Sequence, residues 1–453
     1  MEPRILVFTR YPVPGKAKTR LMDAIGPEEA AAVQRKMTEA LVARLRGLEG
    51  VRIEVWYTGA EEGPFRCWLG DGLDYHRQGG GSLGRRLFQA FRAGVPALAV
   101  GADVPGLSRH HIERALEDLK SGRNVIGPAE DGGYYLLGLS SVKKDFFEEI
   151  AWGTETVFPE TKRRLEESGV PLTVLPELSD LDRPEDLTLL HRVSVVIPVS
   201  PKESEWEERL EELGEERDAE VLLVSGRYRR PPDRIREKYP RVIWLFEAGS
   251  RAARMNRGAA YATGEYLCFL HSDTRLPEKF QERIRRVLTE HPDALGAFRL
   301  GIDSRERKFR ITEYGVDLRS RLLRLPYGDQ AFFLTRPRFF ELGGFRDLPF
   351  MEDFDFVVRA RKRGPVILDS ARVMTSARRW KRLGWSRTFL VNQIVVARYL
   401  FGGDIARLQR YYCDGGSCGA GAEGLSVVPN EDFSIGRRPT PAEPSRRAAR
   451  LAD

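Results

Sequence analysis

One arrangement of residues occurs twice in this chain, and it limits the fold more than any other feature. Its clearer copy is Arg251 to Pro277, RAARMNRGAAYATGEYLCFLHSDTRLP. The order is a helix carrying Arg, Asn and small residues, a Gly turn, and an apolar strand, Tyr266-Leu267-Cys268-Phe269-Leu270, that ends on His271-Ser272-Asp273-Thr274. Short apolar runs bounded by turn signals suit buried parallel strands. A carboxylate just past such a strand lies where open α/β sheets bind ligands, outside the carboxyl ends of the strands. A hard cation would find an oxygen ligand there and could clamp a diphosphate. In the earlier copy Gly81-Ser82 precedes a helix, then the strand Ala97-Leu98-Ala99-Val100 and Gly101-Ala102-Asp103-Val104-Pro105, much as Gly249-Ser250 stands ahead of Asp273. One α/β architecture used twice is the expectation.

A chain of 453 residues accommodates two such units. Its 42% hydrophobic fraction is ample for two cores, and 31% charged residues suit a soluble protein. Lys+Arg 73 against Asp+Glu 66 leaves a net charge of +7, which fits anionic ligands and is too slight an excess to indicate nucleic acid. Arg4-Ile5-Leu6-Val7-Phe8 reads as a first strand rather than a secretory signal. No apolar run reaches spanning length, since Phe389 to Phe401 is broken by Asn392, Gln393 and Arg398. Cys67, Cys268, Cys413 and Cys418 do not make a disulfide framework in a chain this long, so a reducing cytoplasm is expected.

Residues 1 to about 190 alternate strand and helix signals, which predicts a mostly parallel sheet. After the first strand comes Pro14-Gly15-Lys16-Ala17-Lys18-Thr19-Arg20-Leu21. Gly15 lets backbone approach a ligand closely, Lys18 offers a point charge and Arg20 a planar fork, so the segment reads as a phosphate loop; a solvated basic loop is the plainer alternative. Pro27-Glu28-Glu29 opens the next helix. Another helix is expected from Ser108, with His110-His111 solvated in its first turn. Asp131 precedes Gly132-Gly133, which suggests either a carboxylate on a ligand-binding loop or an ordinary tight turn. Asp182 and Pro184 mark a further helix start.

PGKAKTRL, GADVPGL, GPAEDGGYYLLGL and LSDLDRPEDL, in this order, resemble the transferase-1 family associated with radical-SAM and arsenosugar gene neighbourhoods. That family is similar to guanylyltransferase-type nucleotidyltransferases of GT-A-like fold. The resemblance implies a nucleotide–metal site; the residues expected to serve it are Asp103 and Asp131 on the metal and Gly15, Lys18 and Arg20 on the phosphates.

A second start follows at Val193-Ser194-Val195-Val196-Ile197-Pro198, with further strands at Val221–Val224 and Arg241–Leu245. SVVIP, FLHSDT, GDQAFF, GGF and MEDFDF, in order, resemble family-2 glycosyltransferases of the GT-A fold, and TSARRW matches the arsenosugar-associated transferase-2 group. This resemblance implies Asp273 as a metal ligand and Asp353 as the catalytic base, and the adjacent Glu352 is expected to be catalytic with it. It also implies Arg379-Trp380 in an acceptor- or diphosphate-binding element, with Arg254 grouped among the phosphate-binding residues. At the helix start, Asp353 also suits an acidic N-cap. One departure stands out. Where the family has an acid after its second strand, in a VDGGS-like turn, this chain has Val224-Ser225-Gly226-Arg227-Tyr228.

Other features read plainly. Glu205 to Glu216 suits one solvated helix face, and Cys413 and Cys418 lack nearby partners for zinc. Arg372–Arg387 and the apolar Phe389–Phe401 could lie on a membrane surface, or pack over an acceptor cleft, which the charges interrupting the apolar face favour. The reading is two GT-A-like, Rossmann-related domains in tandem, 1–190 and 193–412, with a disordered tail over 413–453. The expected chemistry is glycosyl transfer from a nucleotide-diphosphate sugar with Mg2+ or Mn2+ in the second half and nucleotidyl transfer in the first. The acceptor is small or lipid-like, and a peripheral contact at the inner face of the membrane is weighed. Two alternatives stay open: both halves as glycosyltransferases, or one half as a non-catalytic nucleotide-binding or scaffold module.

Overall fold

The computed structural model describes residues 2–378 apart from 202, 204, 215, 217, 218, 349 and 350, together with 381, 384 and 394. Arg379, Trp380, the 389–401 segment other than 394, and the tail lie outside the described residues. Two sheets organise the chain. The first contains β1 (Arg4–Arg10), β2 (Arg52–Thr58), β3 (Asp74–Arg77), β4 (Ala97–Gly101), β5 (Asn124–Pro128), β6 (Tyr134–Leu139) and β7 (Leu172–Val174). Their spatial order is β3-β2-β1-β4-β6-β5-β7. The second contains β8 (Val193–Val199), β9 (Ala219–Ser225), β10 (Ile243–Phe246), β11 (Tyr266–Phe269), β12 (Thr274–Arg275), β13 (Leu295–Asp303), β14 (Phe332–Thr335) and β15 (Val366–Ser376). Its order, β10-β9-β8-β11-β14-β13-β15-β12, repeats the first position for position once the short edge strand β12 is set aside.

The expected mostly parallel sheet needs one qualification. In each sheet a single interior strand runs against its neighbours: β6 is antiparallel to β4 and β5, and β14 to β11 and β13. Local chemistry explains the first case. Ala129 to Gly133 closes a tight turn, with Gly132 N–H on Ala129 O and Ala129 N–H on Gly133 O, so β5 and β6 form a hairpin instead of a crossover. Strand β12, with Thr274 opposite Thr375, makes a further antiparallel edge. This strand order, with one reversed strand, is a tandem GT-A-like arrangement.

Strand β8 shows why these segments become central strands. All seven of its residues are buried. Val195 and Ile197 enter the core on one face while Val196 enters the core on the other, as a strand covered on both sides requires. Fully burying each such side chain contributes about 1.5–3 kcal/mol. The helix Arg251–Tyr261 lies directly against this strand. A Cβ at Gly258 would stand 2.3 Å from Val196 Cγ1, so only glycine permits this approach.

The paired glycine-serine signals do equivalent work. Ser82 caps helix Leu83–Arg92 by accepting from Arg85 N–H, and Ser250 caps Arg251–Tyr261 by accepting from Ala253 N–H. Ser108 caps Arg109–Lys120 as expected, but the adjacent histidines are not solvated. His111 Nδ1 returns a bond to the Ser108 backbone and hydroxyl, and the ring is buried. Burial, followed by neighbouring charge, pushes His110 down to about 4 and His111 to about 3, so both are neutral structural groups at neutral pH.

The halves touch through polar contacts. Tyr261 donates to Glu113 at 2.8 Å, Glu265 pairs with Lys36 at 3.6 Å, and Arg241 pairs with Glu130 at 3.1 Å. Among the described residues no helix is long and apolar enough to cross a membrane.

Candidate active site

The clearest constellation lies at the carboxyl ends of the second sheet's central strands. Because Ser250 is the N-cap, Arg251 becomes the first helical residue and points its guanidinium past β11. It forms an ion pair with Glu352, meets His271 Nε2 at 3.1 Å, and approaches Asp353 Oδ2 at 3.6 Å. Burial opposes its charge, but Glu352 and Asp353 outweigh that and raise its pKa above the ordinary arginine value.

Asp353 is held from three sides. Its Oδ2 accepts from Gly328 N–H at 3.0 Å, its Oδ1 accepts from Phe354 N–H at 2.8 Å, and Arg251 stands beyond. A side chain at 328 would collide with this cradle, since a Cβ there would lie 2.8 Å from Asp353 Oδ2 and 2.9 Å from His271 Nε2. Met351, at φ 68, is the N-cap of helix Glu352–Arg361, so Asp353 is in the first turn without being the cap itself. The two acids divide sharply: Glu352 is buried and locked to Arg251, while Asp353 keeps part of its carboxylate exposed.

Asp273 lies two residues after His271. Its carbonyl accepts from Ser376 N–H, and its Oδ1 accepts from the Thr274 hydroxyl. Burial, with Glu203 and Glu205 nearby, raises its pKa despite that hydroxyl. Glu203 also takes bonds from Ser200 N–H and the Ser272 hydroxyl, and Glu205 pairs with Arg378 at 2.5 Å. The TSARRW segment thus begins against Asp273, although its Arg379 and Trp380 lie outside the described residues.

Arg254 is placed differently from Arg251. It is buried, donates to Gly249 O at 2.7 Å, and lies 2.8 Å from where a Cβ on Gly226 would sit. That puts it beneath the turn where the family's acid is absent. Ser225 fills the gap locally: its hydroxyl accepts from Tyr228 N–H at 2.9 Å and Arg227 N–H at 3.2 Å, so it ties the turn together.

The first half gathers acids and bases at the matching edge. Lys18, in the left-handed region at φ 47, turns a nearly buried ammonium onto Asp182 at 2.7 Å, with Asp103 at 3.9 Å. Arg20 reaches the other oxygen of Asp182 at 3.1 Å. Gly15, at φ 79, occupies the open tip of this loop with nothing near its Cβ position. Arg183, not Asp182, is the N-cap of the helical turn that follows, and Asp186 in that turn accepts from Asp182 and Arg183 N–H, leaving the Asp182 carboxylate for the cations. The bond from Leu181 N–H to Asp103 O brings this segment beside β4.

Asp131 braces its own turn, accepting from Gly133 N–H at 2.8 Å, and it also belongs to an acidic group. Asp180 marks that group, because burial and then Asp131, Asp182 and Asp103 push it up to about 6. Among the described residues, however, no three His, Cys, Asp or Glu side chains stand together as a ready metal cage.

Asp180 has a consequence for stability. Its folded value exceeds its unfolded one, so the native state holds the proton more tightly and loses stability as pH rises from about 4 through about 6. In metal-free buffer, Asp180→Asn should gain about 1–2 kcal/mol at pH 7 after discounting for solvent screening, and nothing at pH 3. Urea melts at both values check this; an equal change at both would refute it.

Sequence reasoning missed Arg251, His271, Asp180 and Glu203. Arg251 and His271 lay in the stretch that anchored the reading, and the Ser250 cap signal could have separated Arg251 from Arg254. Asp180 and Glu203 carried no local signal, because only the fold brings them to other carboxylates.

The repeated strand order and the acids at both sheet edges define one α/β architecture used twice. Comparison with known proteins makes this particular. Residues 41–154 match the family described as "Uncharacterized protein conserved in bacteria (DUF2064)", and residues 194–348 match "Glycosyl transferase family 2". A 2-phospho-L-lactate guanylyltransferase of Methanopyrus kandleri is 38% identical over 91 residues, covering 19% of this chain and 46% of that protein, so the match spans less than half the relative's length. A solved protein of Desulfovibrio desulfuricans G20, described as a candidate nucleotide-diphospho-sugar transferase, is 33% identical over 42% of this chain and 87% of its own, with a TM-score of 0.40. S. aureus TarS 1–349 in complex with UDP is 18% identical over 41% of this chain and 60% of its own, with a TM-score of 0.33. The chain thus joins a segment similar to the DUF2064 family and to a 2-phospho-L-lactate guanylyltransferase to a segment that matches glycosyl transferase family 2.

Proposed function

We propose that the second half transfers a glycosyl group from a nucleotide-diphosphate sugar to a small or lipid-like acceptor, with Asp353 as base. The observation that carries this is the cradle around Asp353, where two backbone N–H groups and Arg251 fix a partly exposed carboxylate at the sheet's ligand-binding edge. In this reading Asp353 takes the acceptor hydroxyl proton as the oxygen bonds to the anomeric carbon and the sugar–diphosphate bond breaks. Glu352 positions Arg251 and does not meet substrate. The carboxylates of Asp273 and nearby Glu203 and Glu205 offer oxygen donors of the kind that Mg2+ and Mn2+ take, ions that complete their shell with water and substrate phosphates. When bound, such an ion would neutralise charge on the leaving diphosphate.

For the first half we infer nucleotidyl transfer from a nucleoside triphosphate, GTP being the candidate that the guanylyltransferase likeness suggests. Lys18 and Arg20 would meet phosphate oxygens, with Gly15 at the loop tip allowing close backbone approach. Asp103 and Asp131, joined by Asp180, would supply carboxylate oxygens to the cation. An acceptor oxygen would bond to the α-phosphorus as pyrophosphate leaves. The test incubates the chain with each nucleoside triphosphate, candidate acceptor phosphates and Mg2+ or Mn2+, followed by a panel of nucleotide sugars. Pyrophosphate release and nucleotide-sugar turnover report the two halves separately, and absence of either rejects the corresponding reading.

Asp182 occupies the cations that phosphate would need. Asp182→Asn should therefore tighten triphosphate binding about threefold to tenfold while destabilising the nearly buried Lys18, at about 1–3 kcal/mol. Calorimetry and thermal melts read the two effects. Weaker binding with an unchanged melt would contradict the role.

The junction near 190–193 is proposed as the domain boundary, because each side holds its own sheet and its own core. Residues 1–190 and 193–412 expressed apart should each melt cooperatively; failure of both to fold would sink the division.

A further inference from the structure

Among the described residues, five of the eight large apolar side chains that remain exposed belong to one helix and the residue after it. The helix is Arg307–Leu322, and the residues are Ile311, Tyr314, Leu318, Leu322 and Leu323. Ile311, Tyr314, Leu318 and Leu322 recur at spacings of three and four, so they form one stripe along a single face. Ile311, Tyr314 and Leu322 are 66%, 70% and 71% exposed.

The charges on this helix are sorted just as sharply. Its two acids, Glu313 and Asp317, are both buried on the opposite face. Glu313 accepts from Ile302 N–H and pairs with Arg372 and Arg310, while Asp317 pairs with Arg299. The outward side presents Arg307 and Arg321 beside the stripe, with Arg324 just beyond, all exposed. Lys308, also outward, is paired with Glu306. An apolar stripe bordered by arginines, with every acid of the helix turned inward, has the character of a helix that lies in a lipid–water interface.

We propose that this face docks the chain onto an anionic lipid surface. Charge complementarity selects that occupant. A second copy would set arginine rows against each other, and the chain's own apolar segment 389–401 carries Arg398 and no acid. From the end of this helix the chain runs through Leu323–Tyr327 into Gly328, whose N–H donates to Asp353. Docking would hold the glycosyl site next to the lipid surface. The proposal goes beyond the catalytic reading, because vesicle binding can be measured without turnover.

The experiment is flotation of the full chain with phosphatidylglycerol vesicles and with phosphatidylcholine vesicles. Binding to the anionic vesicles alone, weakened by salt, is expected. Leu318→Glu with Leu322→Glu should cut the bound fraction about tenfold or more, as loss of the inserted apolar face and added repulsion require. Arg307→Glu with Arg321→Glu, which leaves the apolar stripe intact, should do the same, with thermal melts confirming that both variants fold. Failure of the unsubstituted chain to bind, binding by either variant as strong as that of the unsubstituted chain, or a dimer in solution that Leu318→Glu dissociates would each overturn the assignment.

Discussion

Asp353→Asn should lower glycosyl turnover by about a hundredfold or more while leaving melting temperature and donor affinity almost unchanged. A sugar hydroxyl is a poor nucleophile until its proton is taken, and in the proposed mechanism the Asp353 carboxylate is the group that takes it. Asparagine keeps an oxygen that can accept from Gly328 or Phe354 N–H, so the cradle survives, but the amide cannot hold the transferred proton. A purely structural role would give the opposite pattern, a lowered melt with turnover lost only in proportion. An Asn variant that folds, binds donor and turns over at the normal rate would leave Asp353 as a helix-start residue.

Asp103→Asn should reduce metal-dependent triphosphate binding and pyrophosphate release by about a hundredfold, with nucleotide-sugar turnover in the second half untouched. Asp103 follows the central strand β4 and lies 3.9 Å from Lys18, at the meeting of the cation loop and the acidic group that raises Asp180. Removing its charge withdraws an oxygen donor and relieves Asp180, whose pKa should fall. Titration of the first-half activity and calorimetry with Mn2+ separate the two consequences. Unchanged Mn2+-dependent binding would exclude Asp103 as a ligand.

Local signals account for what was legible. Runs such as Val193–Pro198 and Ala97–Val100 became central strands because nearly every residue in them is apolar, which two-sided burial demands. Ser82, Ser108 and Ser250 became caps because a short hydroxyl before a helix has few better uses. The strand reversals at β6 and β14 were not legible, since direction depends on how the connection closes. For the hairpin at Asp131-Gly132-Gly133 the turn signal was present and Asp131 braces that turn, while its charge also acts on Asp180, which no local signal announced. The histidines at 110 and 111 misled because burial of a helix's first turn is decided by what packs over it. Glu352 and Asp353 looked alike in sequence, and only the fold distinguishes them, locking Glu352 to Arg251 a hundred residues away and setting Asp353 on the Gly328 N–H.

The contact between Arg241 and the first half has a mechanical meaning. Arg241, from the second half, holds Glu130 and Glu177, and Glu130 in turn accepts from the Ser179 hydroxyl at 2.7 Å. Glu130 and Ser179 directly precede Asp131 and Asp180, so one guanidinium braces the residues next to two members of the acidic group. A fragment ending at 190 keeps every first-half side chain yet loses the cation that balances Glu130 and Glu177. Any displacement of the second half that carries Arg241 pulls on both segments at once, like a tie rod between two frames. The rest state of one site is in this sense set by the position of the other half.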